Sequence, residues 1–179
     1  MSTFPWVLQL LAAAFLGYGM GIVKRNGNEG DLPGYEVRVK DLQLEHGRDF
    51  DRPGLSHLTL WGAFQDHTKQ VEVWMQTFAP GTGTPIHRHD NEEIFLVNHG
   101  QACIRTRMPG EKEVLEKRVL ENNTFMVPSN LMHQVWNTGR EDVQVTVIIG
   151  TPPVRIFLYE QWDMNFNQGK LKHPYTFDV

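Results

Sequence analysis

The chain has 179 residues, with 17 Lys and Arg against 21 Asp and Glu, for a formal charge of −4. At roughly 150 residues per domain this is one domain, long enough to bury a core unaided, and 40% hydrophobic with 21% charged content excludes disorder, collagen and coiled coil. The acidic balance argues against a nucleic-acid partner, and a lone cysteine, Cys103, excludes an intramolecular disulfide framework.

Residues 7–23 form an uncharged, mostly apolar run closed by Lys24 and Arg25. The run predicts a secretory signal peptide over 1–23. An uncleaved signal anchor is the rival, because about 17 helical residues just span a bilayer; an apolar tail of a soluble protein is the third reading. The stretch before the run lacks Lys and Arg, and its A-x-A match, Ala12–Ala14, falls inside it. Residues 24–42 read as a linker or extended segment, Gly- and Asn-rich over 26–34, and 43–179 as the folded domain.

In that domain short β-type runs follow one another: Leu58–Trp61, Val71–Phe78, Ile94–Val97, Ala102–Thr106, Phe125–Pro128, Val143–Ile149 and Val154–Tyr159. Val143, Val145, Val147 and Ile149 alternate with Gln144, Thr146 and Ile148, the period of a strand with one face in a core. Pro80–Gly83, Asn98–Gly100, Pro109–Gly110, Thr138–Gly139 and Pro152–Pro153 punctuate the runs. Many short strands at such spacing predict an all-β sandwich or barrel. Gln168–Val179 reads as a short C-terminal helix or irregular tail. Asn122-Asn123-Thr124 is an N-x-T acceptor, which makes Asn122 a glycosylation candidate.

The chemistry concentrates in Gly81–Glu93. His87 and His89, two apart on a strand, project from one face, so both rings can reach one ion at about 2.0–2.1 Å for zinc. Asp90-Asn91 is a turn, after which Glu93 returns to the same place. His133 lies ahead of the alternating strand. An isolated H-x-H pair is weak; the full spacing is not. Gly81, His87, His89, Glu93 and Gly100 fit G-x5-H-x-H-x3-E-x6-G, and Pro128, His133 and Asn137 fit P-x-G-x2-H-x3-N, with Asn130 where the glycine stands. Asn tolerates the left-handed conformation that this glycine supplies. The pair of motifs resembles those of the cupins, and the resemblance implies a single jelly-roll-like metal-binding β-barrel.

Longer segments are similar to the plant auxin-binding protein family within the cupins: Gly54–His57, Val71–Thr77, Thr84–His89, Glu92–Phe95, His133–Asn137, Pro152-Pro153 with Ile156–Tyr159, and Leu171–Asp178. That resemblance implies a secreted or endoplasmic-reticulum homodimer. It implies zinc held by His87, His89, Glu93 and His133, and a ligand of the indole-3-acetic acid type above the metal. The family's pocket positions correspond to Leu55, Gln76, Thr84, Pro85, Phe95, Ile156, Tyr175 and Phe177, and its glycan site to Asn122.

Several positions depart from the family. Phe177 stands in place of a Trp, Tyr175 in place of a Phe, Arg52 at an apolar pocket position and Asn91 in place of a free cysteine. No cysteines are present for the family's terminal disulfide, and the chain ends Phe177-Asp178-Val179 without an ER-retention tetrapeptide. The expectation is therefore an auxin-binding-like member that reaches the apoplast or the ER lumen. A soluble exported binder also needs a membrane-spanning partner, and the resemblance implies a receptor kinase.

Charge arithmetic is independent of the resemblance. Three neutral imidazoles and one carboxylate leave a divalent ion with one net positive charge, which a monoanion neutralises. Gln76 is expected to donate a hydrogen bond to that anion. The rival readings are a manganese- or iron-dependent cupin oxidase or dioxygenase, for which Glu92, expected to face solvent, is the candidate base besides the ligands, and a metal-stabilised interaction module without small-acid binding. Zinc does no redox chemistry, so metal identity separates them.

Overall fold

A computed structural model describes residues 38–42, 48–49 and 52–172. The segment 1–23, most of the linker, Tyr175 and Phe177 lie outside the described residues. Among the described residues twelve strands run in chain order: β1 Arg48–Asp49, β2 Leu55–Trp61, β3 Val71–Phe78, β4 Ile86–Arg88, β5 Glu93–His99, β6 Gln101–Arg107, β7 Leu115–Leu120, β8 Thr124–Val127, β9 Met132–Asn137, β10 Val143–Gly150, β11 Phe157–Tyr159 and β12 Lys170–Leu171. They form two six-stranded antiparallel sheets, ordered β1-β2-β3-β10-β5-β8 and β12-β11-β4-β9-β6-β7. The all-β expectation holds; among the described residues the helical content is a single 3-10 turn, Phe166–Gln168.

The centre of the first sheet follows from alternation. In β10, Val143, Val145, Val147 and Ile149 have no exposed surface. In β3 the inward side chains are Glu72, Trp74, Gln76 and Phe78. Together with Leu55, Phe95, Val97, Ala102, Val135 and Ile156 the apolar members form one cluster between the sheets. Phe95 stacks on Phe125, with ring centroids 4.6 Å apart and 9° between planes. Two glycines make the close turns possible. A Cβ on Gly83 would lie 2.0 Å from the Val135 carbonyl oxygen. Gly100, at φ +82°, crosses from the first sheet to the second against the Asp142 carbonyl.

The ladders differ from the expected runs in three places. β7 carries Glu116, Lys117 and Arg118 and buries only Val119, because it is an edge strand with a solvated outer face. β9, unforeseen as a strand, is almost wholly buried and holds His133. The run Val154–Tyr159 yields only Phe157–Tyr159, since its partner β4 offers three residues. Of Gln168–Val179, read as a short helix or an irregular tail, the part as far as Lys172 holds the end of the 3-10 turn and β12; residues 173–179 lie outside the described residues.

Candidate metal centre

His87 sits in β4, whose ladder pairs it with Leu158 on one side and His133 of β9 on the other. Alternation sends Arg88 to the opposite face. There its guanidinium lies 4.0 Å from the Phe157 ring centroid and 3.8 Å from that of Phe166, and it donates to the Tyr159 hydroxyl and Asn130 Oδ1. His89 follows the end of β4, and Glu93 opens β5 in the other sheet. One ligand atom from each of His87, His89, Glu93 and His133 lies within 4.8 Å of all the others, and all four residues are buried. The site therefore bridges the two sheets, with His87 and His133 from one, Glu93 from the other and His89 from the loop that follows β4.

The backbone sets the imidazole protons. His87 Nδ1 donates to the Pro85 carbonyl at 2.9 Å, His89 Nδ1 to Asn91 O at 3.0 Å and His133 Nδ1 to Leu131 O at 2.8 Å. A carbonyl only accepts, so each neutral ring carries its proton on Nδ1 and turns an Nε2 lone pair inward. Glu93 Oε2 lies 3.0 Å from His89 Nε2 and 3.1 Å from His133 Nε2. Lone pairs facing a carboxylate at that distance need a proton or a cation between them. Burial opposes ionisation of Glu93, but the His89 charge and the hydrogen bonds from His133 and His89 outweigh it and hold its carboxyl well below the usual range. His89 is likewise raised despite burial, because Glu93 is beside it, whereas burial and the other two imidazoles push His87 well down. The donor set fits a divalent cation with nitrogen and carboxylate ligands.

The residues assigned to a ligand pocket by resemblance fall into two groups. Leu55, Phe95 and Ile156 belong to the apolar cluster. Thr84 is buried but committed: its Oγ1 accepts from the Val135 amide at 3.0 Å, which ties the H-x-H segment to β9, and Pro85, half-buried, supplies the carbonyl for His87. Gln76 differs from expectation in part. Its Nε2 lies 3.1 Å from His57 Nδ1, which commits one amide proton, while its buried Oε1 has no hydrogen-bond partner. His57 went unnoticed in the sequence. Burial and the Lys172 charge push it down to about 3, against the opposing pull of Glu93. Glu92 is exposed, turned away from the cluster. Asn130 takes φ +63°, the left-handed conformation expected where the second motif has glycine. Asn137, the last residue of that motif, is a structural joint: its Nδ2 donates to the Phe78 and Glu141 carbonyls.

A two-sheet β-barrel with three His and one Glu inside is a cupin. A cupin-superfamily sugar phosphate isomerase from Silicibacter pomeroyi shares this fold, with a TM-score of 0.55 at 17% identity over 69% of this chain and 83% of that one. Residues 35–179 match the auxin binding protein family. The chain is 44% identical to auxin-binding protein 4 of Zea mays, over 84% of this chain and 76% of that protein. It is 47% identical to auxin-binding protein T85 of Nicotiana tabacum, over 78% of each. The chain belongs to the auxin-binding protein family.

Proposed function

We propose that this protein binds zinc through His87, His89, Glu93 and His133 and, above the metal, an aromatic monocarboxylate of the indole-3-acetic acid type, as a receptor-like component of auxin signalling. The observation that carries the reading is the convergence of three inward Nε2 lone pairs and one carboxylate within 4.8 Å. Around Zn²⁺ this set leaves one net positive charge, which a single carboxylate neutralises. Covering a bicyclic ring of about 150–200 Å² contributes about 4–5 kcal/mol at about 25 cal/mol/Å², before association costs. The names of the relatives support the ligand class.

The remaining expectations belong to the same reading. Export through the secretory pathway, to the ER lumen or apoplast, rests on residues 1–23. Asn122 supports a glycan, being exposed in the turn between β7 and β8. Exposed Ile94, Leu96 and Met126, with Ile94 registered against Met126 on the outer face of the first sheet, support a homodimer. A membrane-spanning receptor kinase would carry the signal inward. Solved proteins of this fold include enzymes, and the exposure of Glu92, the candidate base, supports binding over chemistry.

The test is calorimetric titration of indole-3-acetic acid into protein of measured metal content, with benzoic acid as comparison. The expected result is about one zinc per chain and saturable binding that chelation abolishes. Iron or manganese with oxygen uptake would replace this reading with the oxidase, and metal without binding of any aromatic acid would leave the interaction module.

A further inference from the structure

Of the four ligands, His87, Glu93 and His133 are fixed by sheet ladders. His89 is not, because β4 ends at Arg88. What holds the loop from His89 to Glu92 is a set of hydrogen bonds, and Asn91 is at its centre. Its backbone carbonyl accepts the His89 Nδ1 proton at 3.0 Å. Its side chain, 7% exposed by residue, donates through Nδ2 to Gly150 O at 2.7 Å and Thr151 O at 2.8 Å. Those carbonyls belong to the end of β10 and the turn beyond it. The Gly150 amide returns a bond to Glu92 O at 3.2 Å. Thr151 is held at φ +58°, a left-handed conformation that β-branched residues rarely adopt. Such a conformation persists only where its surroundings over-determine it, and the Asn91 amide is one of those constraints.

We infer that Asn91 is a positioning residue of the metal site: by clamping Gly150 and Thr151 it fixes the carbonyl that orients the His89 ring, and so sets metal affinity without touching the ion. The inference rests on the metal reading above. An alanine at 91 keeps the backbone carbonyl but removes both side-chain anchors, so the acceptor for His89 Nδ1 loses its fixed place. Loss of a group that orients a ligand from behind typically weakens metal binding by about 10–100-fold.

The experiment measures zinc affinity by competition with a chelator in the parent, Asn91→Ala, Asn91→Ser and Val147→Ala, together with amide exchange in the metal-free proteins. Val147 is buried in β10, where it pairs with Trp74 of β3 and Phe95 of β5 and not with the loop; it controls for lost stability alone. The expected result is a tenfold or greater loss of zinc affinity in both Asn91 variants, faster exchange at the Gly150 amide and at the Asn130 amide, which donates to His89 O at 2.7 Å, and near-parental zinc affinity in folded Val147→Ala. A folded Asn91 variant that binds zinc within threefold of the parent overturns the inference and leaves the metal site standing. A parent that takes up no zinc overturns both.

Discussion

His87 and His133 face each other across β4 and β9 with ring centroids 4.0 Å apart, and each gives its Nδ1 proton to a carbonyl two residues earlier in its own strand entry. The shared pattern means the two rings are oriented by backbone, not by the metal. A site arranged in this way is preformed, so metal adds stability instead of creating the fold. Zinc at about 100 times its dissociation constant is expected to stabilise the protein by about 2.7 kcal/mol. For a domain of this size that raises the midpoint by about 5–10 °C. Calorimetric melting with chelator and with excess zinc checks it; a chelated protein that is unfolded at 25 °C would contradict a preformed site.

Glu93 is the one ligand from the opposite sheet, and its charge is what raises His89 against burial. In metal-free Glu93→Gln that cause disappears while burial remains. The His89 imidazole is therefore expected to titrate at lower pH than in the parent, by NMR of its ring protons. Zinc affinity should fall at least tenfold, because a neutral amide replaces the one anionic ligand of a dication. An unchanged His89 titration would mean that Glu93 does not govern this ring.

How much of this was legible in the sequence depends on range. The strands β3 and β10 announce themselves, because inward and outward residues alternate without interruption over eight positions each. The four residues of the candidate metal centre are legible for a related reason: three lie within seven residues, His87 in β4 and His89 and Glu93 in the loop and strand start that follow. β7 is hidden because an edge strand needs only one buried side chain, Val119. The contact of His57 with Gln76 and that of Asn91 with Thr151 are hidden because they join residues 19 and 60 positions apart, through register that local pattern does not specify. Arg88 reads as a surface charge and is a buried hub, since its aromatic partners Phe157 and Phe166 arrive from far down the chain.

Acid stability follows from His57. Its folded value is about 3 against an ordinary 6.5, so between those values the unfolded chain binds the extra proton. Stability from this residue is present above about 6.5 and is lost as pH falls toward 3, on the order of 5 kcal/mol in all. His87, pushed well down by burial and the neighbouring imidazoles, adds a loss in the same direction below 6.5, and Glu93, held below its ordinary 4.5, adds another beginning near that pH. His89 acts oppositely: its raised value gives stability that is present below 6.5 and lost as pH rises through its folded value. Denaturant midpoints of the metal-free protein are therefore expected to drop steeply between pH 6.5 and 4. His57→Gln, which cannot take the proton, should flatten that slope; an equally steep fall in the variant would assign the acid sensitivity elsewhere.

Arg88 ties the C-terminal segment to the back of the metal strand. Its guanidinium lies against both Phe157 and Phe166, its Nε donates to Tyr159 Oη, and that hydroxyl donates onward to the Phe166 carbonyl at 2.7 Å. Each aromatic contact of a desolvated cation contributes about 1–2 kcal/mol, and removal of the charge also strands the Tyr159 oxygen. Arg88→Ala is expected to cost about 2–4 kcal/mol and to expose residues 160–169 to limited proteolysis. Arg88→Lys should recover little, because an ammonium cannot lie flat against two rings while holding Tyr159 and Asn130. Cleavage in the 160–169 segment at the parental rate, with the barrel equally stable, would show that the segment is held by β12 and Lys172 instead, the latter through the hydrogen bond its backbone amide donates to Ile156 O at 2.9 Å.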